Sequence, residues 1–84
     1  MNFTQIINEI KNKDDFNEFI ESLIEDLKHN SYEWENNTLE SYLIGIASWI
    51  EDMEGYYTNN NIPMPENIDW KVFARILIAA KIYE

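Results

Sequence analysis

Three groups of side chains could do chemistry. Glu51, Asp52 and Glu54 stand within four residues of one another. Paired carboxylates bind divalent cations or exchange protons. Their spacing is not that of a calcium-binding loop, however, and about 100° of rotation per residue turns them in different directions around a helix. That favours a solvated acidic face. His29 is the single histidine. It falls where a helix should end and suits the negative pole of the dipole there. No Ser-His-Asp or HExxH spacing can be built around it. Arg75 is the single arginine, in a segment otherwise almost wholly apolar. Its guanidinium fork suits bidentate pairing with a carboxylate, Asp52 or Glu35 first. An enzyme acting on a small molecule or with a metal would have to combine Asp52, Glu35 or Glu51 with Arg75 and a tyrosine. The chain has no cysteine, which excludes disulfides, thiolate metal sites and thiol nucleophiles. No catalytic activity is evident and no cofactor is implied.

Charge indicates a different kind of activity. The 84 residues carry a formal charge of −10. From His29 to Trp70 there is no Lys or Arg, while Glu33, Glu35, Glu40, Glu51, Asp52, Glu54, Glu66 and Asp69 fall there. Such a chain is repelled by nucleic acid and by anionic lipid; its natural partners are cations, nothing in particular or, the preferred reading, another protein with a basic surface. Aromatic residues accompany the acids. Trp34, Tyr56 and Tyr57 flank them, and Trp and Tyr are favoured anchors of protein interfaces. The candidate partner-binding set is therefore Trp34, Glu35, Glu51, Asp52, Glu54, Tyr56 and Tyr57. Equally, aromatics seal the ends of small bundles, which is the preferred reading for Trp49 and Trp70.

The elements that must position these residues read as helices. Phe16, Phe19, Ile20, Leu23, Ile24 and Leu27 recur at alternating spacings of three and four, predicting a helix over about 14–29. Thr38 should cap a second helix over about 38–54, with Leu39, Tyr42, Leu43, Ile46, Ala47, Ile50 and Met53 as its buried stripe and Gly55 as its stop. On the opposite side Ser41, Gly45, Ser48 and Asp52 align. A mid-helix glycine there is either tolerated or makes room for another element. Asp69 should cap a third helix over about 69–83, apolar nearly all round and so central to the core. Phe3, Ile6, Ile7 and Ile10 predict a short leading helix over about 4–11, with Thr4 as cap. Ile78 and Ile82 lie on the nominal outer side of the last helix. That strip either receives the leading helix or serves association. No period of two persists, so the expected fold is all-α. It is a compact bundle of three main helices plus the short N-terminal one, with residues 1–84 as a single acidic domain.

Hydrophobic residues at 45% suffice for one core. No apolar run reaches the roughly 20 residues needed to span a bilayer, and the start MNFTQIINEIKNKDD lacks the form of a signal peptide. A cytoplasmic setting away from the membrane is expected.

Trp34-Glu35-Asn36, Thr38-Leu39-Glu40, Tyr42-Leu43, Trp49, Asp52 and Gly55-Tyr56-Tyr57, followed by Trp70, Phe73-Ala74, Leu77, Ala79-Ala80 and Ile82-Tyr83-Glu84, form a pattern. It resembles an uncharacterised family of small bacterial domains of unknown function over about residues 14–84. The resemblance implies a bacterial source and a compact helical domain, and no activity. Charge and aromatics then favour a small acidic protein-binding module, immunity-like or inhibitor-like toward a basic partner. The enzyme assembled above and a structural homodimer or accessory domain are the alternatives.

Overall fold

The structure is a computed structural model and describes residues 2–83. Met1 and Glu84, the latter the last residue of the recognised pattern, lie outside the described residues. Four α-helices follow in order: α1 (Phe3–Asn8), α2 (Lys13–Asn30), α3 (Leu39–Asn59) and α4 (Trp70–Ala80), with one 3-10 turn at Ser31–Glu33. The expected all-α bundle with a short leading helix is what forms.

Each helix starts on a side chain that accepts an otherwise unpaired backbone N–H. Thr38 and Ser41 do so reciprocally at α3: the Thr38 hydroxyl accepts from the Ser41 amide at 3.1 Å, and the Ser41 hydroxyl from the Thr38 amide at 3.2 Å. Asp69 caps α4, accepting from the Val72 amide at 2.8 Å. At α1 the cap is Asn2 rather than Thr4, and α2 begins on Asn12, which accepts from the Asp15 amide at 2.9 Å. Asparagine serves as well as threonine or aspartate in this position.

The end of α3 departs from expectation. The helix passes through Gly55, whose φ is negative, and continues to Asn59. Asn61 takes the left-handed conformation instead, at φ 56°. The amides of Asn61 and Ile62 then donate to the carbonyls of Thr58 (3.2 Å) and Tyr57 (2.9 Å), closing a Schellman turn. The extra turn is stabilised by Tyr57, which is buried one turn beyond Met53. Burying a tyrosine outweighs the cost of a mid-helix glycine, about 1 kcal/mol.

At the centre lies α4, with α1, α2 and α3 all packed on it. One side of α4 presents Ala74, Leu77 and Ile78 to a cluster built on Ile7, Ile10, Phe19, Leu23 and Trp34. The other side presents Val72 and Ile76 to Met53 and Tyr57. Trp70 packs on Phe16 of α2 at 5.0 Å between ring centroids. Ile78 is thus taken up by the cluster that holds the leading helix, whereas Ile82 is 58% exposed. By contrast α2 and α3 scarcely approach each other.

The expected inward stripe of α3 is corrected in part: Tyr42, Ile46 and Met53 face the core as expected, and the rest does not. Gly45 is buried, and a Cβ built on it would stand 2.6 Å from the Ala80 carbonyl oxygen and 2.8 Å from the Asn36 amide nitrogen. The glycine therefore admits the C-terminal end of α4 against the α3 backbone. That close approach rotates the helix so that Ile46, Trp49, Met53 and Tyr57 face inward, and Leu39, Leu43, Ala47 and Ile50 of the expected core stripe lie exposed.

Candidate functional site

Among the described residues, Asp26 is the buried charged residue, and a polar centre is assembled around it. The residue follows Phe19 and Leu23 at i+7 and i+3, on the core-facing side of α2, and is 6% exposed. One carboxylate oxygen accepts from the Lys81 ammonium and from the Trp34 indole N–H, both at 2.8 Å; the other accepts from the Asn30 amide at 3.1 Å. Burial pushes the Asp26 carboxyl upward. The hydrogen bonds from Lys81, Trp34 and Asn30, with the charge of Lys81, outweigh it and hold the group below its ordinary value. Lys81 also lies over the rings of Trp34 and Phe3, 5.5 and 5.6 Å from their centroids.

Next to this centre the chain is fastened to the end of α4. The Asn36 side-chain amide donates to the carbonyls of Ala80 (2.9 Å) and Tyr83 (2.6 Å), and its backbone amide to that of Lys81 (3.1 Å). These carbonyls belong to a helix end that would otherwise leave them unpaired. The Tyr42 hydroxyl donates to the Leu77 carbonyl at 2.8 Å, and burial pushes its pKa up to about 12, so the proton stays in place. Trp34, Asn36 and Tyr42, from the heart of the recognised pattern, thus form a clamp that seats α4. Their role in the fold is structural.

The expected site residues divide accordingly. Trp34 is buried against Asp26, and Tyr57 is a core residue; both rings are largely withdrawn from solvent. Tyr56 is half exposed and packs edge-on to Tyr57 and against Trp49. Glu35, Glu51, Asp52 and Glu54 are exposed. The expected pairing of Arg75 with Asp52 or Glu35 does not form. Ion pairs among the described residues join Lys13 to Asp14, Lys28 and His29 to Glu25, and Lys81 to Asp26. Asp52 accepts from the Tyr83 hydroxyl at 2.5 Å, which raises the pKa of that tyrosine. Lys81 takes the role given to Arg75 because it reaches the buried acid of α2. Sequence reasoning passed over Asp26, although an acid in register with Phe19 and Leu23 was the available signal.

What α3 shows to solvent is a band rather than a pocket. Glu40, Leu43, Ile44, Ala47, Ile50, Glu51 and Glu54 follow one another at steps that keep them on one side of the helix, and all are exposed. Over its 21 residues α3 carries no Lys, Arg or His. Between α3 and α2 lies a cleft of about 300 Å³ walled by Ile20, Ile24 and Leu27 on one side and Leu39 and Tyr42 on the other, with Trp34 at its base. Among the described residues, no three His or carboxylate side chains converge as metal ligands would, and no helix is long and apolar enough to cross a membrane.

No curated protein and no solved structure matches the chain. A family model does, over residues 12–84, and on that match the chain belongs to DUF7660, a family of unknown function.

Proposed function

We propose that the chain is a small acidic protein-binding module, immunity-like or inhibitor-like in kind, that covers a basic surface of another protein. One observation carries the reading: the outward band of α3, in which exposed Leu43, Ile44 and Ile50 lie between Glu40 at one end and Glu51 and Glu54 at the other, with no cation on the helix. Apolar area provides affinity, and a single sign of charge provides steering and choice of partner. None of Glu40, Glu51 and Glu54 is held in an ion pair with a described residue. The same sign of charge argues against nucleic acid and anionic lipid as partners. The enzyme alternative finds less support, since Asp52 is engaged by Tyr83 and Arg75 joins no carboxylate among the described residues.

The test is affinity capture from the source cell on the immobilised chain, beside a Glu40→Gln/Glu51→Gln/Glu54→Gln variant, read by mass spectrometry. A basic protein retained by the parent chain, released as salt shortens the screening length from about 10 Å toward about 3 Å, and lost with the variant is the expected result. Equal retention by both would remove the proposal.

A further inference from the structure

The cleft between α2 and α3 differs from the rest of the surface. Both helices lean on α4 and scarcely on each other, so of their facing apolar residues Ile20 and Tyr42 join the larger cluster, while those nearer the rim stay uncovered by the described residues. Ile24 and Leu27 border it from α2 and Leu39 from α3, all exposed. Leu39 also borders a second, more open depression, which runs over Leu43, Ile44 and Ala47 along α3. From Leu39 to Ile50 the apolar track extends over eleven helical steps, about 16 Å. That is an apolar strip long enough for about three turns of helix, opening at the Leu39 end into the cleft, a hole for an anchoring side chain. The described residues contain no strand and so no open sheet edge on which an extended peptide could pair.

Charge decides the occupant. The acids on the α3 side of the groove, Glu40, Glu51 and Glu54, have no neighbouring base on that helix, and on α2 Glu21 and Glu25 accompany Lys28. A second copy of this chain would bring another −10 against that rim. Resting on the protein-binding reading, we infer that the groove receives an amphipathic helix of a partner protein, its apolar residues at i, i+3, i+4 and i+7 and its flanks rich in Lys or Arg. A large apolar side chain of that helix enters the hole above Trp34, and the basic flank meets Glu40, Glu51 and Glu54.

The test uses three synthetic peptides of about five helical turns and the full chain. One has Leu on one face and Lys on the other. The second is a scrambled isomer of the same composition, and the third has Glu in place of Lys. Titration calorimetry should show the Leu/Lys amphipath binding at least tenfold tighter than its scrambled isomer, with no binding of the Leu/Glu peptide. Ile24→Gln with Leu43→Gln should weaken the amphipath at least tenfold while the thermal midpoint of the chain holds or rises, since both side chains are exposed. Ile82→Gln, an exposed isoleucine outside the groove, should leave binding unchanged. Equal affinity for the scrambled isomer, or indifference to the Ile24/Leu43 change, would overturn the groove and leave charge-driven binding standing. A wild-type dimer in light scattering that Ile24→Gln/Leu43→Gln converts to monomer would overturn the choice of occupant. Failure of both Leu/Lys peptides to bind at low salt would remove the groove and count against the acidic module as well.

Discussion

Two residues sit in the interior where periodicity alone would not place them, Asp26 and Gly45. Asp26 is an acid where periodicity calls for an apolar residue, and it is retained because Lys81, Trp34 and Asn30 all donate to it. Removing one member of a buried ion pair leaves the other uncompensated and costs roughly 3–5 kcal/mol. Asp26→Ala should therefore lower the unfolding free energy in urea by about that much, where a surface acid such as Glu54→Ala should change it by about 0.5 kcal/mol or less. The pH dependence follows from the direction of the shift. The carboxyl is held below its ordinary value of 3.8, so its contribution is fully present above about pH 4 and is lost as pH falls through the lower, folded-state value. Urea midpoints measured downward from pH 6 should fall in that acid window, and less steeply for Asp26→Asn. The two glycines make an opposed pair. A methyl at Gly45 meets the Ala80 carbonyl, and nothing lies within 4 Å of one at Gly55. Gly45→Ala should destabilise by about 1–3 kcal/mol, and Gly55→Ala should stabilise by about 0.5–1 kcal/mol. Thermal denaturation of both variants checks the opposite signs.

At the scale of elements, the readable part of the sequence was whatever is local. Phe16 to Leu27 predicts α2 because a helix repeats every 3.6 residues whatever surrounds it. Thr38 and Asp69 are legible as caps because capping involves only the next three residues. The chain's middle is less legible because its decisions are made at long range. Gly55 fits a stop signal until Tyr57 is seen to be buried against Val72 and Ile76. The Leu39–Leu43–Ile50 stripe fits a core face until Gly45 admits the end of α4. In the same way Trp34 fits an exposed anchor until Asp26 is placed beneath it. What survives of the expected site is its acids, which need only solvent. Of the aromatics, Trp34 and Tyr57 go to the core and Tyr56 stays half exposed, and the apolar half of the present site is the stripe that α3 turns outward. Asn36 offers a test at this scale. Its amide satisfies two carbonyls at the end of α4, so Asn36→Ala should cost about 1–3 kcal/mol through carbonyls left unpaired. Hydrogen exchange should then quicken in the last turn of α4 more than in α2.

Between Cα atoms the described residues span 34 × 28 × 18 Å, and the thin dimension matches two layers of helices with axes about 8–10 Å apart. With one layer of helices against α4, the outer sides of α2 and α3 have no third layer to cover them, and so the groove exists. The same thinness makes every buried residue count, including those before the family's matched region. That match begins at residue 12, yet Ile7 and Ile10 are 4% and 3% exposed and belong to the larger cluster. Fully burying an isoleucine contributes about 1.5–3 kcal/mol, so the two together contribute about 3–6 kcal/mol, before Phe3 and Ile6 are added. A chain of this size has a total stability of about 4–13 kcal/mol at about 0.05–0.15 kcal/mol per residue. Removing residues 1–11 would also uncover Ile78 and the face of α4 that packs on α1. A chain of residues 12–84 should therefore lose most of its stability although it contains the whole family match. Circular dichroism and urea titration of the two lengths should show a cooperative transition for the full chain and a broad or much earlier one for the shorter. An unchanged midpoint would mean that α1 rests on the bundle without supporting it, and that the larger cluster closes around Phe19, Leu23 and Trp34 alone.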